Sequence, residues 1–200
     1  GYFAYTRKAS HEAKDRAVAR FNLDPEKDFT YFRTLHSLAF RLLGLASSDV
    51  LSEKHLKDFS NTIGIDLSQG TRNEEDEGFA VFRSDHPMMR VVDLARTTEL
   101  GPEVSYNCSQ LHEPRHLFLH VYNEYAAFKK QNNLLDFTDM LIRLAQRPEI
   151  FPKFKLCLVD EAQDLTPLQW RVVDILDKQS ERMYIAGDDD QGIYAWAGAD

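Results

Sequence analysis

Two carboxylates directly follow an apolar segment, and their types and spacing suit phosphate chemistry. Residues 156–159 are apolar, and Asp160 and Glu161 come next. This pattern predicts a buried parallel strand that delivers both side chains to the edge of a sheet. Ligands of open α/β sheets bind at that edge. There the first carboxylate can hold a hydrated Mg²⁺, and the second can orient a water for attack on a phosphate.

A second junction of the same kind follows a short distance along the chain. Residues 183–186 form another apolar segment, and Gly187-Asp188-Asp189-Asp190-Gln191 follows it. Two acidic junctions so close together indicate one nucleotide site. An acidic pair after a strand is often only a helix cap and a surface charge, so the residue types leave that alternative open.

The composition is that of an ordinary globular protein. The 200 residues are 43% hydrophobic and 28% charged, enough for one domain with a core, or for a domain with a small insertion. No apolar run approaches the roughly 18 residues that a membrane span needs. Cys108 and Cys157 lie far apart, and Cys157 falls inside an apolar strand as a small buried thiol. The absence of a disulfide framework from the sequence fits a reducing compartment.

The charge is distributed unevenly along the chain. The net charge of −8 argues against a simple basic nucleic-acid binder. Residues 1–45 carry eight Lys and Arg against five Asp and Glu, so this part has a net charge of +3 and the remainder −11. Contacts with a phosphate backbone are therefore expected in the first part. Chance variation over a solvated surface would produce the same asymmetry.

Strands and helices that alternate along the chain position these residues. The sequence predicts a strand at 2–5 and a short β-like run at 29–33, besides the two acidic strands. It predicts helices at 9–21, from about 34 to 44, at 114–131, at 136–145 and at 167–177. Such alternation indicates an α/β fold with a parallel sheet.

Residues 46–113 have a different pattern. Helices are predicted at 51–63 and at 87–100, the second closed by Gly101-Pro102. The acidic run 74–77 predicts an exposed loop over 70–78. We therefore expect a small, mostly helical insertion rather than a continuation of the sheet.

Two long motifs resemble those of superfamily I helicases of the UvrD/Rep type. Residues 159–164, Val-Asp-Glu-Ala-Gln-Asp, resemble the Walker B motif of that family. Residues 187–199, Gly-Asp-Asp-Asp-Gln-Gly-Ile-Tyr-Ala-Trp-Ala-Gly-Ala, closely resemble its motif III. Weaker matches are to motif Ia at 5–9, to motif Ib at 34–38, and to an Asp-Phe-x-Asp-Leu-Leu segment at 135–141.

The resemblance implies a domain organisation. It covers residues 1–45 and 114–200, which would form two parts of a RecA-like P-loop NTPase motor domain, and 46–113 would take the place of subdomain 1B. No loop ending in Gly-Lys-Ser/Thr occurs in the 200 residues. We therefore expect an incomplete motor domain, an internal fragment of a longer helicase, that does not hydrolyse ATP alone. The missing phosphate loop would lie upstream and a second motor domain downstream.

The resemblance also assigns ATP and Mg²⁺ as cofactors. Asp160 would hold Mg²⁺, and Glu161 would be the general base or water-positioning group. Gln191 would sense the γ-phosphate, because its amide can donate to a phosphate oxygen and accept from a water. Gln163 and Asp164 would either couple this site to its neighbours or form a local cap network.

For DNA, the resemblance implies a single-stranded track at duplex junctions. Trp196, Tyr194 and Tyr5 would stack on bases, and Thr6, Thr34 and His36 would line the path of the strand. Burial in a core is the alternative for each aromatic residue, and filling a helix start is the alternative for His36. Departures from the family are Ala197, where Arg is frequent, and Arg7, where Asn is usual.

The expected activity is therefore that of an ATP-dependent helicase or translocase, moving 3′ to 5′, in the cytoplasm of a bacterial or phage-infected cell and away from membranes. Three alternatives are a non-catalytic module that binds single-stranded DNA, the motor part of a helicase-nuclease, and an unrelated P-loop ATPase. The motif III match argues against the last of these.

Overall fold

The structure, a computed structural model, describes residues 1–24, 27–74 and 80–188, with 71–74, 80 and 81 described by their backbone alone. The strands are β1 Tyr2–Ala4, β2 Phe32–Thr34, β3 Gly70–Glu74, β4 Ala80–Ser84, β5 Cys157–Asp160 and β6 Met183–Ile185. The helices are α1 Arg7–Phe21, α2 Leu35–Leu42, α3 Glu53–Ile63, α4 Pro87–Thr97, α5 Gly101–Cys108, α6 Arg115–Gln131, α7 Phe137–Ala145 and α8 Pro167–Lys178. None of these helices combines the length and the apolar composition that a membrane crossing requires.

The chain divides into two compact units. The first comprises Gly1–Gly44 with Leu141–Asp200, and the second comprises Leu45–Met140. The start of the second unit falls one residue before the position predicted from the sequence. Residues 114–140 group with the second unit, whereas the resemblance assigns them to the motor domain.

A four-stranded parallel sheet organises the first unit. The strand order is β2-β1-β5-β6. Ala4 of β1 lies opposite both Thr34 of β2 and Asp160 of β5, so three strands end at the same level. The side chains of Phe3, Cys157 and Val159 are buried, as apolar parallel strands require. The α/β class with a parallel sheet is therefore confirmed.

Threonine caps start the helices that follow these strands. The Thr6 hydroxyl accepts a hydrogen bond from Ala9 N–H at the start of α1, and Thr34 accepts from Ser37 N–H at the start of α2. Thr166 and Gln169 form a reciprocal capping box at the start of α8. These caps fix the points at which the chain turns from strand to helix, and so they fix the residues at the carboxyl edge of the sheet.

The second unit has its own apolar core and a small antiparallel sheet. Leu56 and Phe59 of α3, Val92 of α4, and Phe118 and Val121 of α6 are buried in one cluster. The expected loop at 70–78 is wrong for 70–74, which form β3 and pair with β4. The acidic composition suggested exposure, but the ladder is held by backbone hydrogen bonds, which a polar strand can also make.

The region after α4 also differs from the sequence prediction. Gly101 and Pro102 do not simply end a helix, because they begin a further helix, α5. Pro102 fits there since the first turn of a helix needs no N–H from it. Gly101 has a φ of +79°, which a glycine adopts at little cost.

The incoming and outgoing segments of the second unit pair with each other. Leu51 N–H donates to the Leu135 carbonyl over 2.8 Å, and Leu135 N–H donates to the Asp49 carbonyl over 2.8 Å. Val50 and Leu135 thereby form a parallel bridge. The second unit is consequently closed at its base by its own backbone.

Candidate functional site

Asp160 is the last residue of β5, and hydrogen bonds engage both of its carboxylate oxygens. Oδ1 accepts from Glu161 N–H over 3.1 Å, and Oδ2 accepts from the Tyr2 hydroxyl over 2.5 Å. The residue is half-buried at the carboxyl edge of the sheet. These contacts hold the carboxylate in one orientation at the position where open α/β sheets bind ligands.

Glu161 turns the chain away from the sheet. Its φ of +57° and ψ of +43° place it in the left-handed region, directly before a short 3₁₀ turn at Ala162–Asp164. Non-glycine residues rarely adopt this backbone conformation, and those that do concentrate at functional sites. The Glu161 carboxylate accepts a hydrogen bond from Gln163 Nε2 over 2.6 Å, which fixes its direction.

Gln163 connects the two acidic junctions. While its Nε2 donates to Glu161, its Oε1 accepts from Asp188 N–H over 3.1 Å. Ala162 N–H also donates to the Ala186 carbonyl over 3.0 Å. A Cβ at Gly187 would lie 2.9 Å from Gln163 Oε1, so glycine permits the close approach of the two segments. The structure thus brings the first junction next to Gly187 and Asp188, the described part of the second junction.

Tyr2 is a member of this site that the sequence analysis missed. Its ring stacks on Phe32 of the neighbouring strand, with centroids 5.2 Å apart and planes 20° apart. Burial, the hydrogen bond to Asp160 and the charge of Asp160 raise the pKa of the Tyr2 hydroxyl. The hydroxyl therefore remains protonated at neutral pH and donates to Asp160.

The other candidate residues lie along the same edge of the sheet or outside the described residues. Tyr5 is half-buried and Thr6 is exposed after β1, whereas Thr34 and His36 are buried at the start of α2. The hydroxyl groups of Thr6 and Thr34 act as helix caps. The predictions for Gln191, Tyr194 and Trp196 fall outside the described part of the chain.

The donor set at this edge suits a hard divalent cation such as Mg²⁺ or Mn²⁺. Asp160 and Glu161 offer oxygen atoms, and no cluster of three or more His, Cys, Asp or Glu suited to a metal occurs within 1–24, 27–74 and 80–188. Mg²⁺ is commonly held by one or two carboxylates, with water and phosphate oxygens completing its shell. Asp160 can supply one such carboxylate.

A second cluster of charges lies inside the second unit, around the start of α7. Asp136 N–H donates to Asp139 and Asp139 N–H donates to Asp136, a reciprocal cap. Lys129 Nζ lies 2.5 Å from Asp136 Oδ2 and 2.6 Å from Asp139 Oδ2, and Arg96 bonds both carboxylates. The Asp-Phe-Thr-Asp segment at 136–139 therefore has a structural role. Its sequence did not indicate that Arg96 and Lys129 would be its partners.

Burial and charge act in opposite directions in this cluster. Burial disfavours the Asp136 carboxylate, but Arg96 and Lys129 outweigh it and hold the pKa of Asp136 well below its usual range. Burial and the neighbouring Asp136 raise the pKa of Asp139 and of Asp93. Thr138 donates a hydrogen bond to Asp93 over 3.3 Å.

Comparison with known proteins identifies the family. The model of the UvrD/REP helicase N-terminal domain matches residues 2–200. The chain is 27% identical to the ATP-dependent DNA helicase PcrA of Leuconostoc citreum, over 98% of this chain and 27% of that protein. It is 29% identical to a probable DNA helicase II homolog of Mycoplasma pneumoniae, over 98% of this chain and 29% of that protein.

A third relative is also a helicase, and the match again covers nearly all of this chain but only part of the relative. PcrA of Staphylococcus aureus is 24% identical over 98% of this chain and 27% of its own length. The chain thus spans less than a third of each curated relative described. Since the family model matches almost every residue, the chain belongs to the UvrD/REP helicase N-terminal domain family.

Proposed function

We propose that the full-length gene product is an ATP-dependent DNA helicase or translocase that moves single-stranded DNA and acts at duplex junctions, with 3′-to-5′ polarity. The relatives are named as ATP-dependent DNA helicases or as helicase II homologs. Because the chain covers less than a third of their length, the complete activity is assigned to the whole gene product. The first unit would be part of a RecA-like motor domain, and the second would take the place of subdomain 1B.

The observation that carries the proposal is the paired carboxylates at the carboxyl end of β5. Asp160 would hold Mg²⁺, which supplies charge stabilisation to the phosphates when bound. Glu161, whose carboxylate Gln163 directs, would position the attacking water and accept its proton. Gln191 would contact the γ-phosphate. ATP hydrolysis also requires a phosphate loop, so we propose that residues 1–200 alone do not hydrolyse ATP.

The DNA contacts proposed for this chain lie after β1, after β2 and in the motif III segment. Tyr5, Tyr194 and Trp196 would stack on bases, and Thr6, Thr34 and His36 would contact the strand. Support for a shared track comes from the register, because Ala4 and Thr34 end their strands at the same level as Asp160. Nucleotide and DNA would then be bound along one edge of the sheet.

The test is Glu161→Gln in the full-length gene product, with DNA-stimulated ATP hydrolysis and DNA binding both measured. Loss of the base should lower kcat by about 10²–10⁴-fold while affinity for single-stranded DNA is retained. Glu149→Gln is the matched control, since this exposed residue forms an ion pair with Arg147 at the surface. It should leave both quantities unchanged.

The same assay separates the alternatives. A wild-type protein that binds single-stranded DNA but never hydrolyses ATP would be a non-catalytic binding module. DNA degradation that accompanies unwinding would indicate a helicase-nuclease. Partial duplexes with either a 3′ or a 5′ tail test the polarity, because a 3′-to-5′ enzyme unwinds only those with a 3′ tail.

A further inference from the structure

The hydroxyl of Tyr2 reaches the carboxylate at the centre of the proposed nucleotide site. We infer that Tyr2 is a positioning residue that holds Asp160 in the orientation in which it receives a divalent cation. The inference rests on the function proposed above, and it assigns a role to a residue outside the helicase motifs. The hydrogen bond joins β1 to β5, and its two residues are 158 positions apart in the sequence.

The Tyr2 ring is itself held in place. β1 lies between β2 and β5, and Tyr2 pairs with Phe32 on one side and Leu158 on the other. The ring stacks on Phe32, and Phe29 packs against Phe32 edge-on at 4.7 Å. The ring therefore projects a fixed donor toward Asp160, which lies two residues beyond Leu158 on the same face of β5.

The hydrogen bond from Tyr2 orients the Asp160 carboxylate and leaves some of its lone pairs unused. Each carboxylate oxygen has two lone-pair sites, and the bonds from Tyr2 and Glu161 use one site on each oxygen. The sites that these two bonds leave are available to a cation or to one of its waters. Partners of this kind, which orient a metal ligand, typically change metal affinity by about 10- to 100-fold when removed.

The experiment compares Tyr2→Phe with wild type in the full-length gene product. The substitution removes only the hydroxyl and keeps the ring that stacks on Phe32. Mn²⁺ is titrated by electron paramagnetic resonance in the presence of a non-hydrolysable ATP analogue. We expect the dissociation constant for Mn²⁺ to rise about tenfold. In hydrolysis assays the half-saturating Mn²⁺ concentration should rise while kcat at saturating Mn²⁺ is retained.

Tyr31→Phe is the matched control, because Tyr31 precedes β2 and its ring packs edge-on against Phe154. It should leave the affinity for Mn²⁺ unchanged. A second measurement needs no substitution of Tyr2: in wild-type protein with ¹³C-labelled tyrosine, the Tyr2 ring signal should shift when Mg²⁺ and the analogue are added. The Tyr31 signal should not.

Asp160→Ala separates failure of this inference from failure of the proposed function. If Asp160→Ala weakens Mn²⁺ binding but Tyr2→Phe leaves it unchanged or tightens it, the role of Tyr2 is overturned and the site stands. If Asp160→Ala also has no effect, the proposed metal site itself is wrong. A Tyr2→Phe variant that loses thermal stability but binds Mn²⁺ normally would show that Tyr2 serves the sheet alone.

Discussion

Glu161 has a backbone conformation that its side chain disfavours. Among the described residues, the other non-glycine residues with a positive φ are Asn22, Glu99 and Asn133. Asparagine tolerates this backbone region well. A left-handed conformation costs an ordinary L-residue about 1–2 kcal/mol. Such a cost at the carboxylate proposed to position water is consistent with selection for geometry over stability.

Two substitutions at position 161 isolate this cost. Glu161→Gly and Glu161→Ala both remove the carboxylate, but only glycine adopts the left-handed conformation freely. We expect Glu161→Gly to be more stable than Glu161→Ala by about 1 kcal/mol, measured by urea unfolding. Elsewhere the reverse order is usual, because glycine gains more entropy on unfolding. Equal stability, or a more stable alanine variant, would contradict the left-handed backbone at this position.

Single residues show how much of the geometry of the candidate site a sequence can indicate. Asp160 and Glu161 could be found because a local pattern, an apolar strand followed by acids, marks them. Tyr2 could not, because its contact with Asp160 depends on β1 lying beside β5, and no local pattern specifies strand order. Gln163 was noted, but its link to Asp188 depends on the adjacency of β5 and β6.

The start of α7 is held by a buried group of charges rather than by a simple cap. Arg96 of α4 and Lys129 of α6 both contact Asp136, and these three side chains are between 7% and 11% exposed. Removing one member of a buried ion pair is costly because it leaves the partner charge without compensation. The cluster therefore ties α4 and α6 to the start of α7.

Isosteric substitutions at Asp136 and Asp93 should have opposite effects on stability. Asp136→Asn should destabilise the folded state by about 3 kcal/mol at pH 7, because it removes one of the two carboxylates that Arg96 and Lys129 share and leaves both cations against Asp139 alone. Asp93→Asn should be neutral or stabilising, since burial and Asp136 disfavour its ionised form. Asparagine Oδ1 can still accept the hydrogen bond from Thr138. Denaturant unfolding of both variants measures the difference.

The pH dependence follows from the direction of each pKa shift. Asp136 has a lowered folded-state pKa, so its stabilising contribution is present above the unfolded pKa of about 3.9 and is lost as the pH falls through the folded value. Asp93 has a raised folded-state pKa, so its cost at neutral pH disappears on acidification. The effect of Asp136→Asn should therefore shrink below about pH 4, whereas the effect of Asp93→Asn should already shrink as the pH falls from neutral toward 4. An effect of Asp136→Asn that persists unchanged at pH 2 would contradict this assignment.

Elements with strong local signals were predicted well. α1, α2 and α8 each begin directly after a threonine that can cap a helix. The strands at 2–4 and 157–160 coincide with apolar runs in the sequence. β3 was missed because its composition resembles that of a loop and its stability comes from pairing with β4. α5 was missed because Gly101-Pro102 is compatible with both the end and the start of a helix.

At the scale of the whole molecule, the second unit contains what an independent domain requires. It has its own apolar cluster, its own charge cluster and a base closed by pairing of Leu51 with Leu135. We predict that a polypeptide of residues 45–145, which retains all of α7, folds alone. Circular dichroism should show one cooperative thermal transition. Asp136→Asn in the same polypeptide should lower its Tm, and a gradual, non-cooperative melt would contradict the prediction.

The bridge between Val50 and Leu135 also bears on how this part of the protein can change during evolution. A segment whose two ends lie side by side is attached at a single point, in the same way that a hairpin loop is attached to its strands. Whole segments of other length or composition can then be exchanged at that point while the strand order of the host sheet is conserved. Variation in a family built this way is expected to concentrate between Val50 and Leu135, and the residues at the carboxyl edge of the sheet are expected to vary least.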